Sequence, residues 1–323
     1  MKLYSKGHVT ELIGSMIKNA RLSHSFIICG DKGVGKKTLA MHIASQILCW
    51  DGKGEACMEC KSCRMAKNNA HPDLITLVPS GKSGNFKSSD LRPLISDASI
   101  TPNEGVYKVY ILPLIDKALP AAQNTLLKIV EEPPANVIFI MTATSKEGIL
   151  KTILSRSIVL NIGNATEEEC IEAITDSGYS LQDAQKAVAS FGGNIGACLE
   201  FLSEGDSEYP FEAVRSIADA LVSGDEYLLA KELSALDKDK EFAMQALGLL
   251  ETVIRDALMS KSDSKLISSC RDEARVLGEN VRQSGLIKMY EAVGETIKRI
   301  NGNANMQLAL NDLCCKLRTY SLK

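Results

Sequence analysis

Gly30-Asp31-Lys32-Gly33-Val34-Gly35-Lys36 stands between an apolar run, Ser25–Cys29, and a helix-like run, Thr38–Cys49. Strand, glycine-rich loop and helix in that order are the setting in which backbone N–H groups face a phosphate and a lysine reaches its terminal oxygens. Gly30, Gly33, Gly35 and Lys36 are the residues placed for that work. The bland alternative is a glycine-rich turn that holds nothing; spacing and context favour descent from a phosphate-binding loop (P-loop). Further apolar runs of strand length occur at Leu74–Val78, Val106–Leu112, Val137–Thr142 and Ile158–Leu160, with helical or loop material between them. Such alternation predicts an α/β fold, a mostly parallel sheet with helices on its faces. The polar stretch Ser80–Ser89 is expected to be a surface loop.

The loop has its glycines and its lysine, yet its catalytic surroundings are wrong. A hydroxyl that holds magnesium should follow the lysine; here Lys37 does, and Thr38 comes one position late. One residue on a helix is a rotation of about 100°, so Thr38 does not simply stand in. The run Val106–Leu112 should end in an aspartate for the metal and a glutamate for the attacking water, and it ends in Pro113-Leu114. Asp116, the nearest carboxylate, lies too far past the strand end to replace them. Phosphoryl transfer depends on positioning and charge neutralisation, so losing all three groups together predicts negligible hydrolysis. Whether nucleotide binds at Lys36 without being hydrolysed stays open at this point.

With 323 residues the chain is long enough for two or three domains, and 45% hydrophobic with 24% charged residues is the balance of a globular protein. The net charge of −3 argues against a chain that coats itself with nucleic acid unaided. No apolar signal core follows the first lysines and no run is long enough to span a bilayer, so a cytoplasmic location is expected. In a reducing compartment, clustered cysteines read as a metal site and scattered ones as core. Among the 10 cysteines, Cys57-x2-Cys60-x2-Cys63, with Cys49 upstream across Asp51-Gly52-Lys53-Gly54, offers four thiolates that can converge on zinc. The cluster segment is too polar, with Glu59, Lys61 and Arg64, for a core segment; an iron–sulfur cluster is the weaker alternative ligand. Four protein ligands leave no open position, so the zinc is expected to be structural.

Strand signals stop after Asn161. The stretch Ala165–Leu202 reads as short helices broken at Ser177-Gly178 and Gly192-Gly193, and beyond Gly205 nearly everything is amphipathic helix, including Leu228–Leu236, Phe242–Met259, Leu286–Ile300 and Met306–Leu317. The expected organisation is therefore a nucleotide-fold domain over 1–161 with a zinc module at 49–63, a small helical lid over 162–205, and an all-α collar over 206–323. The helices Phe242–Met259 and Met306–Leu317 carry more apolar surface than a small bundle is expected to bury alone, which predicts a partner interface.

Taken with Leu22-Ser23-His24-Ser25-Phe26, His71-Pro72-Asp73, Asn124-Thr125-Leu126-Leu127-Lys128-Ile129-Val130-Glu131-Glu132-Pro133-Pro134, Thr152-Ile153-Leu154-Ser155-Arg156-Ser157 and Asn305-Met306-Gln307-Leu308-Ala309-Leu310, these features resemble the bacterial clamp-loader family, the AAA+ subunits of DNA polymerase III holoenzyme. The resemblance covers essentially the whole chain. Within that family the motor subunits keep Thr after the lysine, an Asp-Glu pair, Ser-Arg-Cys, and a nucleotide-sensing arginine in the lid; this chain has Lys37, Pro113-Leu114, Ser157 and Gly196 there. Departure at four nucleotide-handling points with retention of Arg156 resembles the subunit that hydrolyses nothing itself and inserts an arginine finger into its neighbour's ATP site.

By the same resemblance, partners are gamma/tau-type and delta-type subunits in a five-subunit ring, acting on the sliding clamp and primed DNA in DNA replication. Without it, Arg156 reads as a surface arginine capping the last strand, and Glu131 and Glu132 as the solvated end of a helix or a subunit face. Two rivals remain: an active gamma/tau-type ATPase, which Pro113 opposes, and a zinc-stabilised DNA-binding adaptor on a dead nucleotide fold, which Ser155-Arg156 and the helical C-terminal third oppose.

Overall fold

All five residues of Ser25–Cys29, strand β1, are buried, as in a strand covered on both faces. In the computed structural model, residues 3–80, 85–204, 210–260, 270–302 and 304–321 are described, and they fall into two units. One comprises Met1–Ala173 with Gly193–Ala197, the other Ile174–Gly192 with Cys198–Lys323. The first unit runs α1 (Gly7–Lys18), β1, α2 (Lys36–Leu48), α3 (Lys61–Lys67), β2 (Leu74–Thr76), α4 (Ser88–Ala98), β3 (Lys108–Leu112), α5 (Pro120–Glu131), β4 (Val137–Ala143), α6 (Lys151–Leu154) and β5 (Ile158–Asn161).

The five strands form one parallel sheet in the order β2-β3-β4-β1-β5. Alternation along each strand sorts side chains to two cores. Phe26, Ile28, Val109, Ile111, Ile138 and Ile140 face the apolar residues of α1 and α2. Ile27, Tyr110, Leu112, Phe139 and Met141 face those of α4 and α5, with Tyr110 and Phe139 stacked at 5.6 Å between centroids. Sequential strands connect through helices, and β1 lies between β4 and β5, so the loops after β1 and β4 share one edge, where Gly30 N–H donates to Ala143 O. Such a crossover point at strand C-termini is where α/β sheets build ligand sites.

Two expected strands are shorter than their apolar runs. β2 stops at Thr76 and leaves Val78 81% exposed; β3 starts at Lys108 and leaves Val106 69% exposed. Apolarity marks both runs, but the strands end where backbone pairing ends: Leu77 N–H still donates to Ile111 O, and among the described residues nothing further extends the ladder. The loop expected over Ser80–Ser89 lies partly outside the described residues, at 81–84; its end opens α4, where Asp90 accepts from Lys87 N–H and Ser80 Oγ.

After β5 come α7 (Glu167–Asp176), α8 (Leu181–Phe191) and α9 (Ile195–Glu204), with Gly178 and Gly192 at positive φ in the breaks. The helices α10 (Pro210–Ser223), α11 (Glu226–Ala235), α12 (Lys240–Met259), α13 (Arg271–Asn280), α14 (Gln283–Asn301) and α15 (Met306–Ser321) follow; Gly205, an expected boundary, lies outside the described residues. Asp225 and Asp239 cap α11 and α12 by accepting from Leu228 and Phe242 N–H.

The expected surplus of apolar surface on two of these helices is largely absent. Leu247, Leu250, Val253 and Ile254 of α12 and Leu310, Leu313 and Leu317 of α15 are all buried in one core of the same unit. Among the described residues, the larger apolar side chains left exposed on these helices are Tyr227, Met259, Val276, Ile287, Tyr290 and Leu308, of which Met259 is on α12 and Leu308 on α15. The helical period told which face is apolar, not how many neighbouring helices would cover it. Among the described residues no helix is long and apolar enough to cross a membrane.

Candidate functional site

The loop after β1 folds around its glycines. Gly33 and Gly35 have φ of +88° and +87°, where side chains are strained, and a Cβ on Gly30 would lie 2.5 Å from Ile162 O. Lys36 opens α2 and is only 8% exposed; its Nζ donates to Gly30 O at 2.6 Å and Asp31 O at 2.7 Å. Burial lowers its pKa, with the carboxylates of Asp116 and Asp31 opposing that shift. Lys37 and Thr38 are both exposed.

A second segment closes on this loop from far along the sequence. Asn194 Nδ2 donates to Lys32 O at 2.9 Å and Gly196 N–H donates to Gly33 O at 3.0 Å. A Cβ on Gly196 would lie 2.5 Å from Gly33 Cα, so no side chain fits at this position. The same Asn194 caps α9, its Oδ1 accepting from Ala197 N–H. That cap was legible as an Asn before an apolar periodic run; its hydrogen bond to Lys32 was not.

At the end of β3, Leu114 sits in the left-handed region at φ 52° and donates its N–H to the Thr142 hydroxyl. Asp116, one short turn later, is turned onto the end of β4, its Oδ2 accepting from Thr144 and Ser145 N–H at 3.0 and 3.3 Å. Pro113 and Leu114 bring no carboxylate to this edge.

The four cysteines come together. Their Sγ atoms all lie within 4.8 Å of one another, and Cys57 and Cys63 are 4.0 Å apart. Thiolates bound tetrahedrally at ~2.3 Å from zinc stand about 3.8 Å apart, so the donor set fits a metal ion of that kind. Cys49 ends α2, Cys60 caps α3 and Cys63 lies in its first turn. Cys60 N–H donates to Cys57 Sγ and Cys63 N–H to Cys60 Sγ, the N–H···S pattern that supports thiolate charge. For Cys60, burial pushes the thiol up, but bonds from Cys63 and Trp50 N–H outweigh it and bring it down to about 7.

The module is seated by a close approach of two glycines: a Cβ on Gly54 would lie 2.4 Å from Gly14 O, and one on Gly14 would lie 2.6 Å from Gly54 O. It is also tied to the sheet. Lys61 pairs with Glu104 at 2.8 Å, and the buried Asp73 accepts from the N–H groups of Asn103, Glu104 and Gly105. The sequence marked His71-Pro72-Asp73 only as a strand opening; the acceptor role of Asp73 depends on residues 30 positions on.

Arg156 follows α6, 42% exposed. Its Nη1 donates to Thr152 O at 3.1 Å and Ser155 Oγ at 3.3 Å, and its Nη2 lies 3.0 Å from Glu131 Oε1 at the end of α5. Ser157 bonds Ser25 Oγ at 2.7 Å and donates to Ile153 O, fastening the turn to the start of β1.

A family model described as "DNA polymerase III, delta subunit" matches residues 5–166. Among curated proteins, the DNA polymerase III subunit delta' of Bacillus subtilis is 25% identical over 318 residues, spanning 96% of this chain and 95% of that protein. The subunit delta' of Haemophilus influenzae is 28% identical, spanning 92% and 90%. The subunit tau of Escherichia coli is 26% identical over 76% of this chain but only 36% of its own length.

Proposed function

The chain belongs to the DNA polymerase III delta-subunit family, in its delta-prime form, and from that premise we propose that it is a clamp-loader subunit without ATPase activity that lends Arg156 to a nucleotide held by a neighbour. One observation carries this reading: Arg156 stays partly exposed beyond α6 while Lys37 and Pro113-Leu114 occupy the positions of the metal hydroxyl and the two acids. A chain that keeps the arginine and discards its own catalytic groups makes sense if the arginine serves elsewhere. A guanidinium presents a planar fork of donors to a phosphoryl group and neutralises the charge that develops on it, and it can be supplied in trans.

The self-satisfied Lys36 and the excluded side chain at Gly196 support the same reading, since both leave the loop filled by the chain's own groups. In this reading Gly30, Gly33, Gly35 and Lys36 are a relic phosphate loop. Zinc held by Cys49, Cys57, Cys60 and Cys63 is structural. Residues 1–161, 162–205 and 206–323 serve as nucleotide-fold body, lid and ring-forming collar in a cytoplasmic complex with gamma/tau-type and delta-type subunits, acting on clamp and primed DNA.

The test is a pair of substitutions in the reconstituted complex. Arg156→Ala is expected to leave assembly intact and lower DNA-stimulated ATP hydrolysis partially, because an arginine in trans is worth about a thousandfold or more at one site while the other sites keep running. Lys36→Ala is expected to change the rate much less. The reading fails if Lys36→Ala stops the complex and Arg156→Ala leaves it at full rate.

A further inference from the structure

The carboxylate facing Arg156 belongs to the Glu131-Glu132 pair at the end of α5, which the sequence alone places in solvent or at a subunit face. Arginine has five N–H donors in a rigid fork. Three contacts are made here, one to Glu131 and two to the closing turn of α6. Part of the fork is therefore held from behind and part remains outward. The last turn of α5 also carries the negative end of a 12-residue helix, which favours a cation at that place.

We infer that Glu131 is the positioning residue for Arg156: its carboxylate fixes the guanidinium against the ends of α5 and α6 so that the remaining donors are presented to a phosphoryl group of a neighbouring chain. This rests on the reading that Arg156 acts in trans. A long side chain left free would lose rotamer freedom each time it engaged the phosphate; the ion pair settles that loss beforehand. Because the gain appears only when the arginine meets developing charge, it falls on kcat and not on KM for ATP. In this inference Glu131 acts through Arg156 and not on the nucleotide itself.

The experiment uses the reconstituted complex and follows the part of its DNA-stimulated ATPase that Arg156→Ala removes. Glu131→Ala is expected to lower that part about two- to fivefold, the range an exposed ion pair is worth, with KM for ATP and ring assembly unchanged. Glu131→Gln, which keeps a neutral oxygen acceptor, is expected to fall between Ala and the native residue. In an Arg156→Ala background neither substitution should lower the rate further. The inference is overturned if either assembled variant runs at the native rate or faster, or if either lowers the rate equally with and without Arg156. If Arg156→Ala itself has no effect, it is the trans-arginine reading that falls, which separates the two failures.

Discussion

The phosphate-type loop and the cysteine module are both glycine-shaped turns at the ends of α2, and they have opposite chemical character. At the N-terminal end, Gly33 and Gly35 keep the left-handed geometry of a phosphate cradle, while Lys36 bonds the loop's own carbonyls and Asn194 and Gly196 press on it from outside. At the C-terminal end, Gly52 and Gly54 turn the chain so that four thiols converge with N–H groups directed at sulfur. One end has its glycines and Lys36 but no hydroxyl directly after the lysine and no carboxylate from Pro113-Leu114; the other has both its turn and its four converging thiols. Backbone shape and reactive groups are thus separable, and a loop's outline does not testify to its activity.

The largest effect is expected from removing the thiol donors at the C-terminal end of α2. Cys60→Ser, or chelation, is expected to cost several kcal/mol locally, since structural zinc carries about 10–16 kcal/mol of apparent binding energy in small modules. Trp50 is the sole tryptophan, 53% exposed and adjacent to Cys49, so its fluorescence should report the loss directly. Native protein purified without chelator that contains no metal, and a Cys60→Ser variant with unchanged melting, would erase the contrast.

A smaller effect is expected at the other end. Gly33→Ala combines a strained φ with a Cβ 2.1 Å from Asn194 Oδ1, whereas Gly35→Ala meets open space. Strained backbone alone costs on the order of 1–3 kcal/mol, so Gly35→Ala should fall in that range and Gly33→Ala above it, read from denaturation midpoints. Equal midpoints would mean that Asn194 does not press on the loop. The smallest effect is expected from Lys37→Thr: restoring a hydroxyl should give no ATP turnover in the isolated chain, because Pro113-Leu114 still bring no acids. Turnover on the order of one per second would show that the scaffold had kept more than its shape.

Much of this was written in local spacing. Three of the four cysteines fall within seven residues, and metal geometry leaves such a segment few ways to fold. The parallel sheet followed from apolar runs of strand length divided by helices, because β1, β3 and β4 are buried on both faces and need no polar alternation. What stayed hidden was non-local. Asn194 meets Lys32 across 162 positions, and no periodicity encodes that contact. Glu131 reads as solvated until α6 brings Arg156 to it. Val78 and Val106 read as strand because apolarity does not say where a pairing partner ends. The apolar face of α12 reads as an interface because a helix seen alone does not disclose its neighbours.

The contact between Gly14 and Gly54 bears on anyone who would transplant the cysteine module. With either glycine's hydrogen enlarged to a methyl, the carbonyl of the other would be struck, so the turn and the first helix fit only as a matched pair. A graft carrying residues 49–63 alone would arrive without its seat, and a recipient helix with alanine at the facing position would hold the thiols off register. The portable unit is therefore larger than the ligand motif, and begins at α1.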